Sequence, residues 1–317
     1  MKARQPKLIQ SILILSIFLF AAGCSKSTIN IYDGEQESGT SGQSDKENTL
    51  VTFNASIESR NMTRAMSPMK SGIKSHIYAY LPAANSTGQE TLAAQGVYVT
   101  SSPGVLSGAD GYKMYLPNGI YNFYSVSDNF STFPPTFSNG ESESLFNGID
   151  YLWWKSPRQD VTSSQINIPI VFQHACTQVV INVAGGSGVT LNTLVSATIT
   201  PPASGATMNI FTGIIPPATT YGRPDKMGIK GLTAQYIMLP LKTDTPMQLT
   251  LELNINNETN SRTFTTGIPV PDGELKAGNS YVFNAIVDGN AVSFSQVSVK
   301  DWTEVDESGN PLYPSQR

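Results

Sequence analysis

Short runs of alternating apolar and polar residues recur along most of the chain, and this pattern predicts β-strands. In residues 49–58 (TLVTFNASIE), Val51, Phe53, Ala55 and Ile57 share one face and polar residues dominate the other. Similar runs occur at 76–81, 96–101, 112–117, 120–127, 165–184, 194–201, 235–241, 247–256, 262–270, 280–289 and 291–302. Because no window has a clear helical period, and the runs are closely spaced, the sequence predicts an all-β chain built of β-sandwiches.

Two turn signals predict hairpins within this pattern. Residues 117–119 are Pro-Asn-Gly, and Asn and Gly tolerate positive φ, so 112–127 is expected to form a hairpin. Residues 288–290 are Asp-Gly-Asn, which predicts a tight turn between 280–289 and the last run of the chain.

The N-terminus has the pattern of an export signal. Three basic residues precede an apolar run at 8–22, which is shorter than the roughly 20 residues of a membrane-spanning helix. The run ends in Ala-Ala-Gly-Cys at 21–24, which favours lipoprotein processing, with lipid attached to Cys24. The alternative is an ordinary signal peptide followed by an incidental cysteine. With Cys24 acylated, Cys176 has no cysteine partner in the chain, and it lies in an apolar stretch typical of a buried thiol.

Composition and length predict the organisation of the rest. Residues 1–23 form the predicted lipoprotein signal peptide, and the polar, Gly/Ser-rich residues 24–48 form a flexible tether. The remaining length suggests about two domains. Two apolar runs meet near His174 and a glycine-rich break lies at 185–188, so the boundary is placed near 174–188. The predicted domains are an N-terminal β-sandwich at 49–175 and a C-terminal one at 176–317.

Charge and candidate chemistry narrow the function. Loss of the three basic residues of the signal from the 20 in the chain leaves 17 basic and 24 acidic residues, a net charge of −7, which argues against a nucleic-acid partner. Only His76 and His174 are available for a Ser-His-Asp site, and structural roles are favoured for both. The spacings of zinc, calcium and phosphate sites are missing, so no cofactor, metal or catalytic residue is predicted.

Trp153 and Trp154 are a candidate ligand contact. Adjacent strand residues point to opposite faces, so one indole is expected in the core. The other is a candidate platform for a glycan.

The polar segment after the first run is predicted as a loop, residues 59–72, and carries Arg60 and Arg64. A cut after Arg64 would make Ala65 the new N-terminus and release the lipid together with strand 49–58. The body would then have an open strand edge, which invites a strand from another chain. The alternative interpretation is that both arginines are ordinary solvated loop charges.

The chain resembles the fimbrillin family, the subunits of lipoprotein-derived type V pili. Segments that carry the resemblance are AAGC (21–24), VTFNASIE…MTRA (51–65), LPNGIYNFYSVS (116–127), GIDYLWW (148–154), INIPIVFQHACTQVVINV (166–183), LKAGNSYVFNAIVDG (275–289) and VSVKDW (297–302). The resemblance implies two tandem transthyretin-like Greek-key β-sandwich domains. It also implies an arginine-specific protease as a partner, whose cut best matches Arg64-Ala65, with Arg60 as the spare candidate.

The resemblance further implies polymerisation by strand exchange through the C-terminal region. The best candidate donor is 291–302, with Val292, Phe294, Val297 and Val299 as its apolar positions. The first hypothesis is therefore a stalk or tip subunit of a surface fimbria that supports adhesion. Its precursor would be held at the outer membrane by lipid, and its partners would be other pilus subunits. The alternative hypothesis is a surface lipoprotein that binds glycans or host proteins and never polymerises.

Overall fold

The computed structural model describes residues 48–58, 66–85, 88–295, 297–300 and 302, all within one compact unit. These residues form 23 strands and two short 3₁₀ turns, which confirms the predicted all-β class. The strands of the first half are β1 (Asn48–Glu58), β2 (Met66–Pro68), β3 (Lys74–Leu81), β4 (Thr91–Ser102), β5 (Val105–Gly108), β6 (Met114–Pro117), β7 (Gly119–Ser127), β8 (Phe137–Ser138), β9 (Glu141–Ser142), β10 (Leu152–Val161) and β11 (Gln165–His174). The 3₁₀ turns are Ala109–Gly111 and Pro271–Gly273.

The strands of the second half follow after a two-residue connection. They are β12 (Thr177–Gly185), β13 (Leu191–Ile199), β14 (Asp225–Lys226), β15 (Gly228–Lys230), β16 (Thr233–Met238), β17 (Leu241–Lys242), β18 (Met247–Ile255), β19 (Arg262–Ile268), β20 (Glu274–Leu275), β21 (Ser280–Asp288), β22 (Ala291–Phe294) and β23 (Ser298–Lys300). None of the described segments forms a helix of the length and apolarity that a bilayer crossing requires.

The first sheet closes on itself through β1. The order of pairing is β11-β10-β7-β3-β4-β5-β1, and β1 pairs back with β11, while β2 and β6 add to β1. This differs from the open two-sheet sandwich predicted for 49–175, because β1 bridges the two sides. The ring encloses a core of large side chains that includes Phe53, Ile77, Phe123 and Phe172.

The prediction of a hairpin at 112–127 is wrong. β6 pairs with β1, whereas β7 pairs with β3 and β10. The Pro117-Asn118-Gly119 signal does lie at the boundary between two strands, but their partners lie elsewhere in the ring. Residues 66–68, predicted as part of a loop, form β2 because they pair with the end of β1.

The second half is a sandwich of two sheets. One sheet has the order β15-β16-β12-β21-β22, with β23 also on β21, and the other has the order β14-β13-β18-β19. The inward face of β18 is Leu249, Leu251, Leu253 and Ile255, all fully buried, as its alternation predicts. The predicted turn at 288–290 joins β21 and β22 in a hairpin.

A third apolar cluster joins the two halves. It combines Tyr78, Tyr80 and Tyr124 of the first sheet with residues that follow His174, such as Ile237 and Trp302. The chain passes from the first sheet to the second between the end of β11 and the start of β12. The division of the chain into domains at 175 and 176 stays a prediction.

Candidate functional site

The inward face of β1 is part of the first core. Val51, Phe53 and Ala55 are 2%, 1% and 3% exposed, and Ile57 is half-buried against the same cluster. The ring of Phe53 makes edge-to-face contacts with Tyr98 (centroids 5.2 Å apart) and Phe123 (6.0 Å). Val51, Phe53, Ala55 and Ile57 are every second residue of β1, so they all point to the same face of this strand.

β1 has a continuous ladder on one side and an interrupted one on the other. It runs parallel to β11 over eight residue pairs, from Leu50–Gln165 to Ile57–Phe172. Its opposite edge pairs in turn with three short antiparallel strands, β6, β5 and β2. Removing β1 would therefore leave β11 without its parallel partner and would open the ring.

Polar side chains reinforce the seam between β1 and β11. The hydroxyls of Thr52 and Ser56 donate to the carbonyls of Ile166 (3.2 Å) and Ile170 (3.3 Å). At the end of the seam, the Gln173 amide donates to Glu58 (3.0 Å). These bonds lie on the outward face, so the seam is polar outside and apolar inside.

The predicted processing residues lie outside the described residues. Cys24, Arg60, Arg64 and Ala65 all belong to this group. The ends of the 59–65 connection are described: Glu58 at the end of β1 pairs with Met66 at the start of β2.

The candidate donor segment forms part of the second sandwich. β22 and β23 both pair antiparallel with β21. Val292, Phe294 and Val297 are partly buried against the second core, whereas Val299 is 57% exposed. In this conformation the segment is an edge strand of its own molecule.

The two tryptophans take different places. Trp154 points into the first core. Trp153 packs against the third apolar cluster, which joins the two halves. Its indole N–H donates to the carbonyl of Ile210 (2.7 Å), and Gly213 lies against its ring. The expectation that one indole is in the core is confirmed, and the ligand-contact role stays a prediction.

A histidine–carboxylate pair lies at the junction. His174 Nδ1 is 2.8 Å from Asp150, whose other oxygen accepts a hydrogen bond from Asn129 (2.9 Å). The ring of Trp302 stacks on His174, with centroids 4.1 Å apart. The sequence did not predict this pair, because Asp150 and His174 come from different segments of the chain. The Cys176 thiol interacts with Asp150 but is fully buried, so the pair has the features of a structural contact.

Of the other reactive groups, His76 is half-buried and Cys176 is fully buried. Burial lowers the pKa of His76 to about 4, and its Nδ1 contacts the Tyr78 hydroxyl (2.8 Å). Burial also raises the pKa of the Cys176 thiol, with Asp150 adding to the shift. Among the described residues, no group of three or more His, Cys, Asp or Glu side chains is arranged to hold a metal ion.

An open cleft of about 970 Å³ lies between the 128–151 connection and the loops near 202 and 223. Phe133 and Phe146, 73% and 58% exposed, belong to its lining. Asp128 also lines it, and burial raises the pKa of this carboxyl group despite hydrogen bonds from Thr132 and the Phe130 amide. The cleft thus combines exposed aromatic rings with a carboxylate acceptor.

The fold resembles solved structures of Bacteroides proteins. A proposed cell adhesion protein from Bacteroides uniformis is 19% identical and has a TM-score of 0.59, covering 81% of this chain and 100% of its own. A similarly described protein from Bacteroides ovatus is 17% identical, with a TM-score of 0.59 and coverage of 82% and 99%. One from Bacteroides fragilis is 12% identical, with a TM-score of 0.53 and coverage of 81% and 99%. At these identities the likeness concerns the fold.

The sequence itself identifies the class. Residues 63–302 match the family described as Fimbrillin-like, which is most of the chain. The chain therefore belongs to the fimbrillin-like family, which confirms the resemblance inferred from the sequence. The matched region begins after β1 and includes every later strand. A search of curated protein sequences finds no significant match.

Proposed function

We propose that this protein is a structural subunit of a surface fimbria and that β1 is a placeholder strand. Cleavage after Arg64 by an arginine-specific protease would release β1, and a strand from another subunit would take its place. The subunit would then form part of a stalk or tip that supports adhesion. The observation that carries this proposal is the position of β1: it is the first strand, and its buried face and its pairing with β11 complete the first core.

The physical basis is apolar burial together with main-chain pairing. Full burial of a side chain such as Val51 or Phe53 stabilises by about 1.5–3 kcal/mol. Loss of β1 would expose the apolar surface that these side chains cover and would leave the polar groups of the β11 backbone unpaired. A replacement strand recovers both contributions, which favours assembly.

The precursor would reach the cell surface as a lipoprotein. In this proposal Cys24 carries the lipid that holds it at the outer membrane, residues 24–48 are the tether, and cleavage frees the body from the anchor. In this proposal the two halves are tandem domains at 49–175 and 176–317. Palmitate-analogue labelling that is lost in Cys24→Ala tests the anchor.

The donor would be residues 291–302, with Val292, Phe294, Val297 and Val299 as its apolar positions. Since β22 and β23 pair with β21 in the single chain, donation requires the segment to leave this edge. Edge strands are the part of a sheet that most readily pairs with another chain.

Processing of the purified full-length precursor with an arginine-specific protease tests the main proposal. We expect a single new N-terminus at Ala65, followed by a ladder of oligomers on unheated denaturing gels. Arg64→Gln is expected to block both, and Arg60→Gln is the matched control that leaves both unchanged. Digestion to small peptides, or a clean cut with no oligomers, would contradict strand exchange.

The 970 Å³ cleft favours a second candidate function, the binding of a glycan by a subunit that does not polymerise. Its volume is within the range of small-ligand sites, and exposed Phe133 and Phe146 offer rings for stacking. The fold relatives named above are described as proposed cell adhesion proteins, which fits a surface-binding role. A glycan array would then show binding that Phe146→Ala abolishes and that Phe130→Ala retains, with no processing needed.

A further inference from the structure

The first ring has only a short pairing between β10 and β11. These strands follow each other after a three-residue connection, yet they pair only at Leu152–His174 and Trp153–Gln173. Beyond these two pairs, β10 has a partner only in β7 and β11 has a partner only in β1, among the strands that the structure describes. Each strand therefore has a free edge at the gap between them.

The hydrogen bonds of β11 show which of its residues face this gap. Along a strand, the N–H and C=O groups of successive residues point to opposite edges. The Leu50 amide donates to the Ser164 carbonyl (3.2 Å), so the even-numbered residues of β11 face β1. The odd-numbered residues face the gap, and one of them, Pro169, is exposed and has no N–H to donate.

The gap-facing residues of β10 follow in the same way. The Ala175 amide donates to the Tyr151 carbonyl (2.8 Å), so the odd-numbered residues from Tyr151 to Pro157 face the gap. Pro157 is also exposed and also lacks an N–H. Both free edges thus contain a proline at a position whose backbone would have to donate to a neighbouring strand.

The two prolines occupy equivalent positions. Pro157 comes four residues after Trp153, and Pro169 comes four residues before Gln173, so a longer hairpin would place them opposite each other. Proline is confined to sheet edges because it cannot donate to the ladder of hydrogen bonds. Two opposed prolines remove both donors from one position of the ladder.

A bulge adds to the block on β10. The register with β7 shifts between Ser156 and Gln159, and Arg158 within this bulge has a φ of +54°. Its amide donates to the Asn122 side chain of β7 (2.7 Å) and so points away from the gap. Lys155 is exposed on the same strand. Proline, lysine and bulges are features by which edge strands avoid pairing with other chains.

We propose that Pro157 and Pro169 keep the free edges of β10 and β11 from pairing with the same edges of a second copy of this chain. A second copy presents identical edges, which could pair antiparallel about a two-fold axis. Pro169 lies in the middle of the unpaired stretch of β11, so it interrupts any long ladder of this kind. The block is present in the uncut precursor and is independent of cleavage after Arg64.

Hydrogen exchange in the parent precursor tests the free edge of β11. Resolved by residue, exchange should alternate along this strand. The amides of Ile168 and Ile170 face β1 and should exchange slowly, whereas those of Asn167 and Val171 face the gap and should exchange fast. Slow exchange at Asn167 and Val171 would overturn the proposal, because this edge would already be paired.

Pro157→Val combined with Pro169→Val tests the block itself. Both are made in the full-length precursor with Cys24→Ala, so that lipid does not contribute to association. Valine restores the N–H and favours the extended backbone. Sedimentation velocity should show dimers that associate on the order of tenfold more tightly than the parent. Exchange at Asn167 and Val171 should slow in these dimers.

Pro216→Val is the matched control, because this proline is exposed and lies outside the strands. It should leave association at the parental level, and Pro169→Val alone should give a smaller shift than the double variant, which keeps the test decisive if the double variant does not fold. Parental association of the Pro169 variants, or equal dimerisation of the control, would refute the block. Slowed exchange in a monomer would refute it as well, since the prolines would then prevent closure of a hairpin within one chain.

Discussion

The cores of the two halves differ in which part of the chain provides the strands around them. The core of the second sandwich is enclosed by strands that all follow His174 and lie within the region matched by the family. The core of the first ring needs β1, which precedes that region and contributes Val51, Phe53 and Ala55. The two cores are equally buried but differ in their covalent connection. A single cut in the 59–65 connection would separate β1 from the rest of the first core, whereas the strands of the second core would stay in one chain.

The largest effect is expected from removing one buried phenylalanine ring from each core. Phe53→Ala and Phe283→Ala should each destabilise the chain by about 3–5 kcal/mol, since both remove a buried ring and leave a cavity. The consequences should differ in place. In Phe53→Ala, hydrogen exchange should rise in β11, which pairs with β1, whereas in Phe283→Ala it should rise in β12, which pairs with β21.

Assembly sharpens this comparison further. After processing, β1 should leave Phe53→Ala faster than the parent chain, so oligomers should appear sooner. Phe283→Ala provides the control of similar instability and should show no such acceleration. Equal acceleration in both variants would mean that general instability, rather than the hold on β1, governs exchange.

The local pattern of apolar and polar residues was sufficient to predict the strands, but not which strands pair with each other. The period-two alternation of β1 and β18 predicts which side chains face inward, because alternate strand residues point to opposite faces. The choice of partner depends on contacts far apart in sequence. The Pro117-Asn118-Gly119 signal thus predicted a hairpin, while β6 instead pairs with β1, more than 60 residues earlier.

The candidate site was foreseen in part for the same reason. The sequence places an apolar face on β1, and this face is buried as its alternation suggests. The three short partners of β1 on its other edge were not foreseeable, since β2, β5 and β6 are brought to β1 by contacts distant in sequence. The stacking of Trp302 on His174 likewise joins residues of the two halves.

An intermediate effect is expected at the junction between the two halves. At Gly213, φ is +71°, and an added Cβ would lie 2.3 Å from the Trp153 ring. Gly213→Ala should therefore destabilise by about 2–3 kcal/mol, from overpacking together with the strain of a left-handed backbone. Gly188→Ala is the control, because φ is +72° there but nothing lies within 4 Å. It should cost only about 1 kcal/mol in urea unfolding, and equal losses would show that the Trp153 contact is soft.

The smallest effect is a pH dependence that belongs to the first ring alone. Burial lowers the pKa of His76 from 6.5 to about 4, so the folded chain binds fewer protons at this site than the unfolded chain between these values. Stability should therefore fall as pH drops from 6.5 towards 4, by on the order of 2 kcal/mol. His76→Asn should remove this contribution, and the difference between the urea unfolding curves of parent and variant at pH 7, 5.5 and 4.5 isolates it from the titrating carboxylates. If parent and variant have parallel profiles of stability against pH, the His76 imidazole is in contact with water. If the difference has the opposite sign, the folded sheet stabilises the protonated form of His76.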